Sequence, residues 1–124
     1  MARLFNLEVI NATLVGGTSS PVYSSPELQN TLGTMEVFHL ELTVEAVTVN
    51  GTDVEVIYEV SNDGQNWFAV SSSAHSVSIT TAGTGPDRSF LNVSDFVNGA
   101  YGRFKATADQ GVVPIRVVVC GRSR

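Results

Sequence analysis

The feature that most constrains this chain is a period of two. From Glu36 to Val47, the residues Phe38, Leu40, Leu42, Val44 and Ala46 fall on one side of an extended strand, while His39, Glu41, Thr43 and Glu45 fall on the other. Asp53 to Val60 repeats the pattern, with Val54, Val56, Tyr58 and Val60 inward and Glu55 and Glu59 outward. Between the two runs stands Val49-Asn50-Gly51-Thr52, and Asn-Gly accepts the positive φ that both central positions of a type I′ turn require. The spacing predicts a long two-stranded hairpin.

The remaining punctuation has the same character. Ser61 to Asn66 reads as a turn, with Gly64 able to take positive φ, and leads into Trp67-Phe68-Ala69-Val70. A short strand over Val77 to Thr80 precedes a Gly/Pro loop, Thr81 to Asp87. Phe90 to Val97 fits either a short strand or one helical turn capped by Ser94. Tyr101 to Thr107 and Val113 to Cys120 are separated by the hairpin-length Ala108-Asp109-Gln110-Gly111, and Pro114 opens its strand where a missing N–H is tolerated. An N-terminal strand from Leu4 to Ile10 or a little beyond completes seven to eight short strands with no helices between them. That is the pattern of an all-β, antiparallel β-sandwich, jelly-roll or Ig-like. The expected core holds Phe38, Leu40, Leu42, Val44, Val54, Val56, Tyr58, Trp67, Phe104 and Val117.

At 124 residues the chain has the length of a single domain, 1–124. One stretch does not fit the pattern. Residues 11–34 contain Gly16-Gly17, Ser19-Ser20-Pro21 and Ser24-Ser25-Pro26, with apolar residues too sparse for a strand over most of that length. They are expected to form a long loop that hugs the sheet or an arm that reaches a neighbouring subunit, with Thr13–Val15 or Val22-Tyr23 available as an edge strand.

The chemistry is sparse. A net charge of −5 with seven basic residues argues against a nucleic-acid-binding face. Asn6 and Glu8 break the N-terminal apolar run, so no signal peptide is expected, and no stretch has the length of a membrane span. His39 and His75 fall in different elements; a metal or acid–base role for His39 would need Glu41 or Glu55 folded beside it. His75 lies in a run of small residues without a nucleophile motif. Asn62-Asp63-Gly64 lacks the spaced oxygen donors of a calcium loop and reads as a turn. Cys120, the one cysteine, reads as a packed thiol. Gly83-Thr84-Gly85-Pro86 precedes no helix and no Lys, as a phosphate loop would. No catalytic, cofactor-binding or metal-binding residue is expected, and no enzymatic activity.

Charge is scarce and unevenly placed. Only 15% of residues are charged, against about 25% in a typical domain. Glu36, Glu41, Glu45, Asp53, Glu55, Glu59 and Asp63 share a stretch without Lys or Arg, whereas Arg103, Lys105, Arg116, Arg122 and Arg124 cluster near the C-terminus. Either the acidic and basic strands are neighbours whose cross-strand pairs neutralise each other, or they lie on opposite edges and join one copy to the next. Val37, Val47 and Ile57 interrupt the polar face of the long hairpin, which points to association through that face. Leu14, Val22 and Tyr23 join them as interface candidates if residues 11–34 dock on a neighbour.

The run Val54 to Val70 with its Ser61-Asn62-Asp63-Gly64 turn and following Trp67, the aromatic–Arg strand Tyr101 to Thr107 and the terminal hydrophobic strand ending in Arg resemble small β-sandwich proteins of phage virions, of the head decoration and accessory type. The resemblance implies a non-enzymatic homo-oligomer, assembled in the host cytoplasm and bound to a capsid or another virion protein, with no nucleic acid or membrane partner. The same turn is similar to one in discoidin-like and other carbohydrate-binding sandwiches, which implies a glycan-binding module as the rival reading. Trp67, Tyr58, Tyr101 and Tyr23 are the aromatics available to stack on a sugar. Trp67, alternating with Ala69 after the turn, is expected inside the core. An expected lack of a signal peptide counts against an extracellular lectin but not against one carried on a virion.

Overall fold

The computed structural model describes residues 3–17, 21–33, 35–45, 51–69, 76–81, 86–93 and 100–123. Its elements are β1 (Arg3–Val15), β2 (Val22–Tyr23), a 3-10 turn (Pro26–Leu28), α1 (Gln29–Gly33), β3 (Met35–Val44), β4 (Asp53–Ser61), β5 (Phe68–Ala69), β6 (Ser76–Thr80), β7 (Asp87–Val93), β8 (Tyr101–Ala108) and β9 (Val112–Ser123). These strands form two sheets with antiparallel pairing throughout. The first sheet runs β1-β9-β3-β7. The second runs β2-β8-β4, with β5 and β6 sharing the far edge of β4.

The protein is an all-β sandwich, and its strand order selects between the two expected topologies. From β1 to β4 the chain changes sheet at every step, and it does so again from β6 to β9. With the two-residue β5 set aside, each sheet holds alternate strands of two interlocked Greek keys. That is a jelly roll. An Ig-like sandwich would instead place its first two strands side by side in one sheet.

This order overturns the long hairpin. β3 pairs with β7 and β9, whereas β4 pairs with β8, β5 and β6. β3 and β4 are therefore consecutive strands of two different sheets rather than neighbours, and Asn50 lies outside the described residues. The N–H of Gly51 donates to the carbonyl of Thr81, at the end of β6, and not to β3. β8 and β9 are likewise split between the sheets, so the C-terminal hairpin is also corrected. The physical reason is the same for both: both layers of a sandwich alternate apolar-in and polar-out, so the period is blind to which layer a strand joins.

The inward residues follow the alternation closely. Leu40, Leu42 and Val44 of β3 meet Val113, Ile115, Val117 and Val119 of β9 on one side, and Val54, Val56 and Tyr58 of β4 meet Phe104 and Ala106 of β8 on the other; all are buried. Val77 and Ile79 extend this core through β6, and Val9, Ile10 and Leu14 through β1. Phe38 lies in β3, but its side chain is outside the described residues. Trp67 is only half-buried and does not belong to the core. In the region once ambiguous between strand and helical turn, Asp87–Val93 is a strand; residues 94–99 lie outside the described set, as do Val47 and His75.

Residues 11–34 are not an arm among the described positions. Residues 11–15 complete β1, paired with β9 from Asn11↔Arg116 to Val15↔Val112. Leu14 is therefore a core residue, 3% exposed, and not an interface residue. Val22 pairs with Ala106 and packs on the core, while Ser24 exchanges bonds with Phe104, N–H to carbonyl at 2.9 Å and Oγ accepting the Phe104 N–H at 2.9 Å. Pro26 and the Ser25 hydroxyl, which accepts the Glu27 N–H, start the 3-10 turn. The segment then ends in Leu32, fully buried, whose carbonyl accepts the Tyr58 hydroxyl at 2.6 Å. Close approach makes this possible: a Cβ on Gly102 would lie 2.7 Å from the Leu32 carbonyl carbon, and one on Gly33 would lie 2.8 Å from the Tyr101 backbone.

Two substitutions test this packing. Leu42→Ala should lower unfolding free energy by about 2–5 kcal/mol through the cavity it leaves. Tyr58→Phe should cost about 1–3 kcal/mol, because the Leu32 carbonyl loses its partner inside the core. Both are read from urea midpoints at unchanged slope; a Leu42→Ala loss below about 1 kcal/mol would contradict the placement of β3.

Candidate functional site

Arg103 organises the outer face of the second sheet. β8 alternates Gly102, Phe104 and Ala106 inward with Arg103 and Lys105 outward, and its register sets Glu59 opposite Arg103 and Ile57 opposite Lys105. The Arg103 Nε donates to Glu59 Oε1 at 2.8 Å, and Glu59 is itself only 8% exposed. The guanidinium carbon lies 4.0 Å from the Tyr23 ring centroid and 4.2 Å from that of Trp67. Tyr23 arrives through β2, opposite Lys105, and Trp67 arrives from the loop after β4. One cation is thus neutralised by a buried carboxylate and flanked by two aromatic rings.

The loop that carries Trp67 is held by its own side chains. Ser61 Oγ accepts the N–H groups of Asp63 and Gly64 and donates to Asp63 Oδ1. Asp63 Oδ1 also accepts the N–H groups of Gln65 and Asn66, each at 2.8 Å, and its Oδ2 accepts the Asn66 side-chain amide at 2.7 Å. The Asn66 and Gln65 backbone N–H groups, then the Asn66 amide and Ser61 hydroxyl, hold the Asp63 carboxyl well below the usual carboxylate range. Gly64 takes the positive φ the sequence suggested, with the Tyr101 ring beneath it. Asn62, Asp63, Gln65, Asn66, Trp67 and Phe68 line a shallow depression of about 520 Å³.

Elsewhere the structure reassigns the expected interface residues. Ile57 is half-buried on the outer face of the second sheet, whereas Val37 lies in β3 of the first, so the two do not share a face; the Val37 side chain is outside the described residues. Among the described members of the set, Tyr23 is exposed, at 41%. Missed by sequence reasoning were Phe68 and Phe90, the most exposed large hydrophobics among the described residues together with Val15, and Val112, which pairs with Val15 at the sheet edge. None stood out, because an apolar residue in a strand reads as inward until the register is known.

The acidic and basic strands are neighbours, the first of the two arrangements expected. β4 lies beside β8 and β3 beside β9, and Glu59–Arg103 is the resulting cross-strand ion pair. Arg116 of β9 turns instead to Glu8 of β1, Nε to Oε2 at 2.6 Å; this bond, with a second from Asn11, lowers the Glu8 pKa. The fold also brings His39 and Cys120 to facing positions on β3 and β9, which their distance in sequence concealed. No carboxylate completes that row, since Cys120 faces Asn6 and His39 faces Asn92, and the His39 ring lies against Phe90 at 5.2 Å.

A second depression, about 480 Å³, is lined by Asp53, Glu55 and Asp109 among others. Two of these carboxylates are engaged at its rim: Asp109 accepts the Asp53 N–H and Asp53 accepts the Thr80 hydroxyl. Among the described residues no group of three or more His, Cys, Asp and Glu side chains is placed to hold a metal ion, and no helix is long and apolar enough to cross a membrane. Comparison of the sequence with known protein families and with curated proteins finds no match to either.

Trp67→Ala should cost about 1 kcal/mol of stability, the scale of a cation–π contact rather than of a core aromatic. Arg103→Ala should cost about 3 kcal/mol, because it strands Glu59 under the sheet surface. Both are read by chemical denaturation. Because the Asp63 pKa is depressed on folding, its support is complete above the ordinary carboxylate pKa and lost only as pH falls through the folded value. The loop should stay closed down to pH about 3, and Trp67 emission during acid titration checks this.

Proposed function

We propose that the chain is a non-enzymatic structural protein of a phage virion, a capsid decoration or accessory protein that binds a repeating protein shell and associates with copies of itself. The observation that carries the reading is the outer face of the first sheet. Phe90 stands there 57% exposed beside His39, with Val118 and Cys120 half-buried on the neighbouring strand. The nearest charges on β1 and β9, Glu8 and Arg116, are spent on each other. A face that carries an exposed aromatic ring with half-buried apolar neighbours around Glu41, the register partner of both Phe90 and Val118, gains by being covered. Jelly rolls build many viral shells, which supports the reading by analogy of fold alone.

Light scattering on the full chain should report a mass above that of the monomer, and the chain should co-sediment with capsids. Phe90→Lys should reduce either association at least tenfold while leaving the thermal midpoint within a few degrees. A chain that stays monomeric and never co-sediments, or a Phe90→Lys variant that associates undiminished, overturns the assignment.

A further inference from the structure

We propose that the depression beside Trp67 and Phe68 is a binding site for a neutral glycan, which goes beyond the structural role assigned above and lies on a different sheet from the surface that role uses. Phe68 is the starting point. At 66% exposed it is the most exposed large hydrophobic described, on a two-residue edge strand that contributes nothing to the core. No packing demand in the described fold calls for an aromatic ring at that position. Trp67 precedes it, half-buried, its ring set by Arg103, which Glu59 holds in turn.

The polar half of the site is equally prepared. Asn62 and Gln65 present exposed side-chain amides from a loop whose backbone is already tied by Asp63 and Ser61. Ligand binding would therefore order little that is not ordered beforehand. Aromatic faces next to neutral amides match a pyranose, whose C–H face stacks on a ring while its hydroxyls exchange hydrogen bonds with the amides.

The electrostatics select against other ligands. Asp63 is ionised in the loop, and Arg103, the cation stacked on Trp67, is paired with Glu59, so a phosphate or a nucleic acid finds beside Trp67 a neutralised guanidinium rather than a cluster of cations. The opening is too shallow to enclose a small apolar molecule, which would need most of its surface covered. With few contacts per site, the dissociation constant should be about 1 mM for a free oligosaccharide, and many copies on one shell would raise the apparent affinity by avidity.

Trp67 is the chain's one tryptophan, so its fluorescence reports the site directly. The full chain is applied to an array of immobilised neutral glycans and then titrated with maltotriose, cellotriose, chitotriose and galactobiose, following Trp emission. Retention on the array and a saturable shift with at least one sugar are expected. Phe68→Ala and Gln65→Ala, both at exposed positions, should each weaken that response at least tenfold with no change in thermal midpoint. Capsid co-sedimentation should be unaffected, which separates failure of this site from failure of the shell-binding role. Absence of binding to any neutral glycan overturns the proposal, as does a response confined to heparin, polyphosphate or a proline-rich peptide. A response that survives both substitutions overturns it as well.

Discussion

The rest of the structure depends on where the last two strands go. β9 is inserted between β1 and β3, and β8 between β2 and β4, so neither sheet is continuous until the C-terminal third of the chain is in place. The buried side chains of β9 and β8, Val113 to Val119 and Phe104 with Ala106, are also the middle of the core. Nearly every ladder in the sandwich thus closes over a long span of sequence. Such non-local pairing makes folding slow and cooperative, because loop closure must be met before the contacts that reward it form.

A second constraint seats the irregular segment between β1 and β3. It has little regular structure of its own, yet Ser24, Leu32 and Gly33 each bond to or press against β8 or β4. Leu32 supplies the apolar plug, and the paired glycines Gly33 and Gly102 supply the room. The Tyr58 hydroxyl satisfies the carbonyl that this approach would otherwise bury unpaired, and deep burial raises the Tyr58 pKa far above its ordinary value, so the group remains a donor across the physiological range. What reads in sequence as a loop is a strap across the sandwich.

The two outer faces divide the functional surface. On the first sheet Glu8 and Arg116 pair, and Phe90 and Val118 flank Glu41 of β3. On the second, Glu59–Arg103 is spent in the same way, but there the neutralised guanidinium serves as a platform that sets Tyr23 and Trp67. In both places a cross-strand ion pair neutralises two of the few charges that the composition supplies, beside exposed aromatic rings. Such a surface recognises by shape, stacking and hydrogen bonds.

The alternation in β3, β4, β8 and β9 was legible in the sequence because a period of two says which side chains turn inward, and Leu40, Leu42, Val44, Val54, Val56, Tyr58, Phe104 and Val117 all did so. The Ser61–Gly64 turn was legible for the same local reason: its hydrogen bonds join residues at most three apart. Pairing was not. Asn50-Gly51 signals a change of direction, yet only the competition of every strand for the core decided that β3 and β4 part into different sheets. Trp67 was misplaced because alternation was carried through a turn, where the period no longer holds; an arginine from the far end of the chain took the ring instead. The sequence by itself determined a two-faced β fold poor in charge, since period and composition are local properties. The tertiary structure alone decided which strands are neighbours, and with them the meeting of Tyr23, Glu59, Trp67 and Arg103, because register between distant strands is set by burying both inner faces at once.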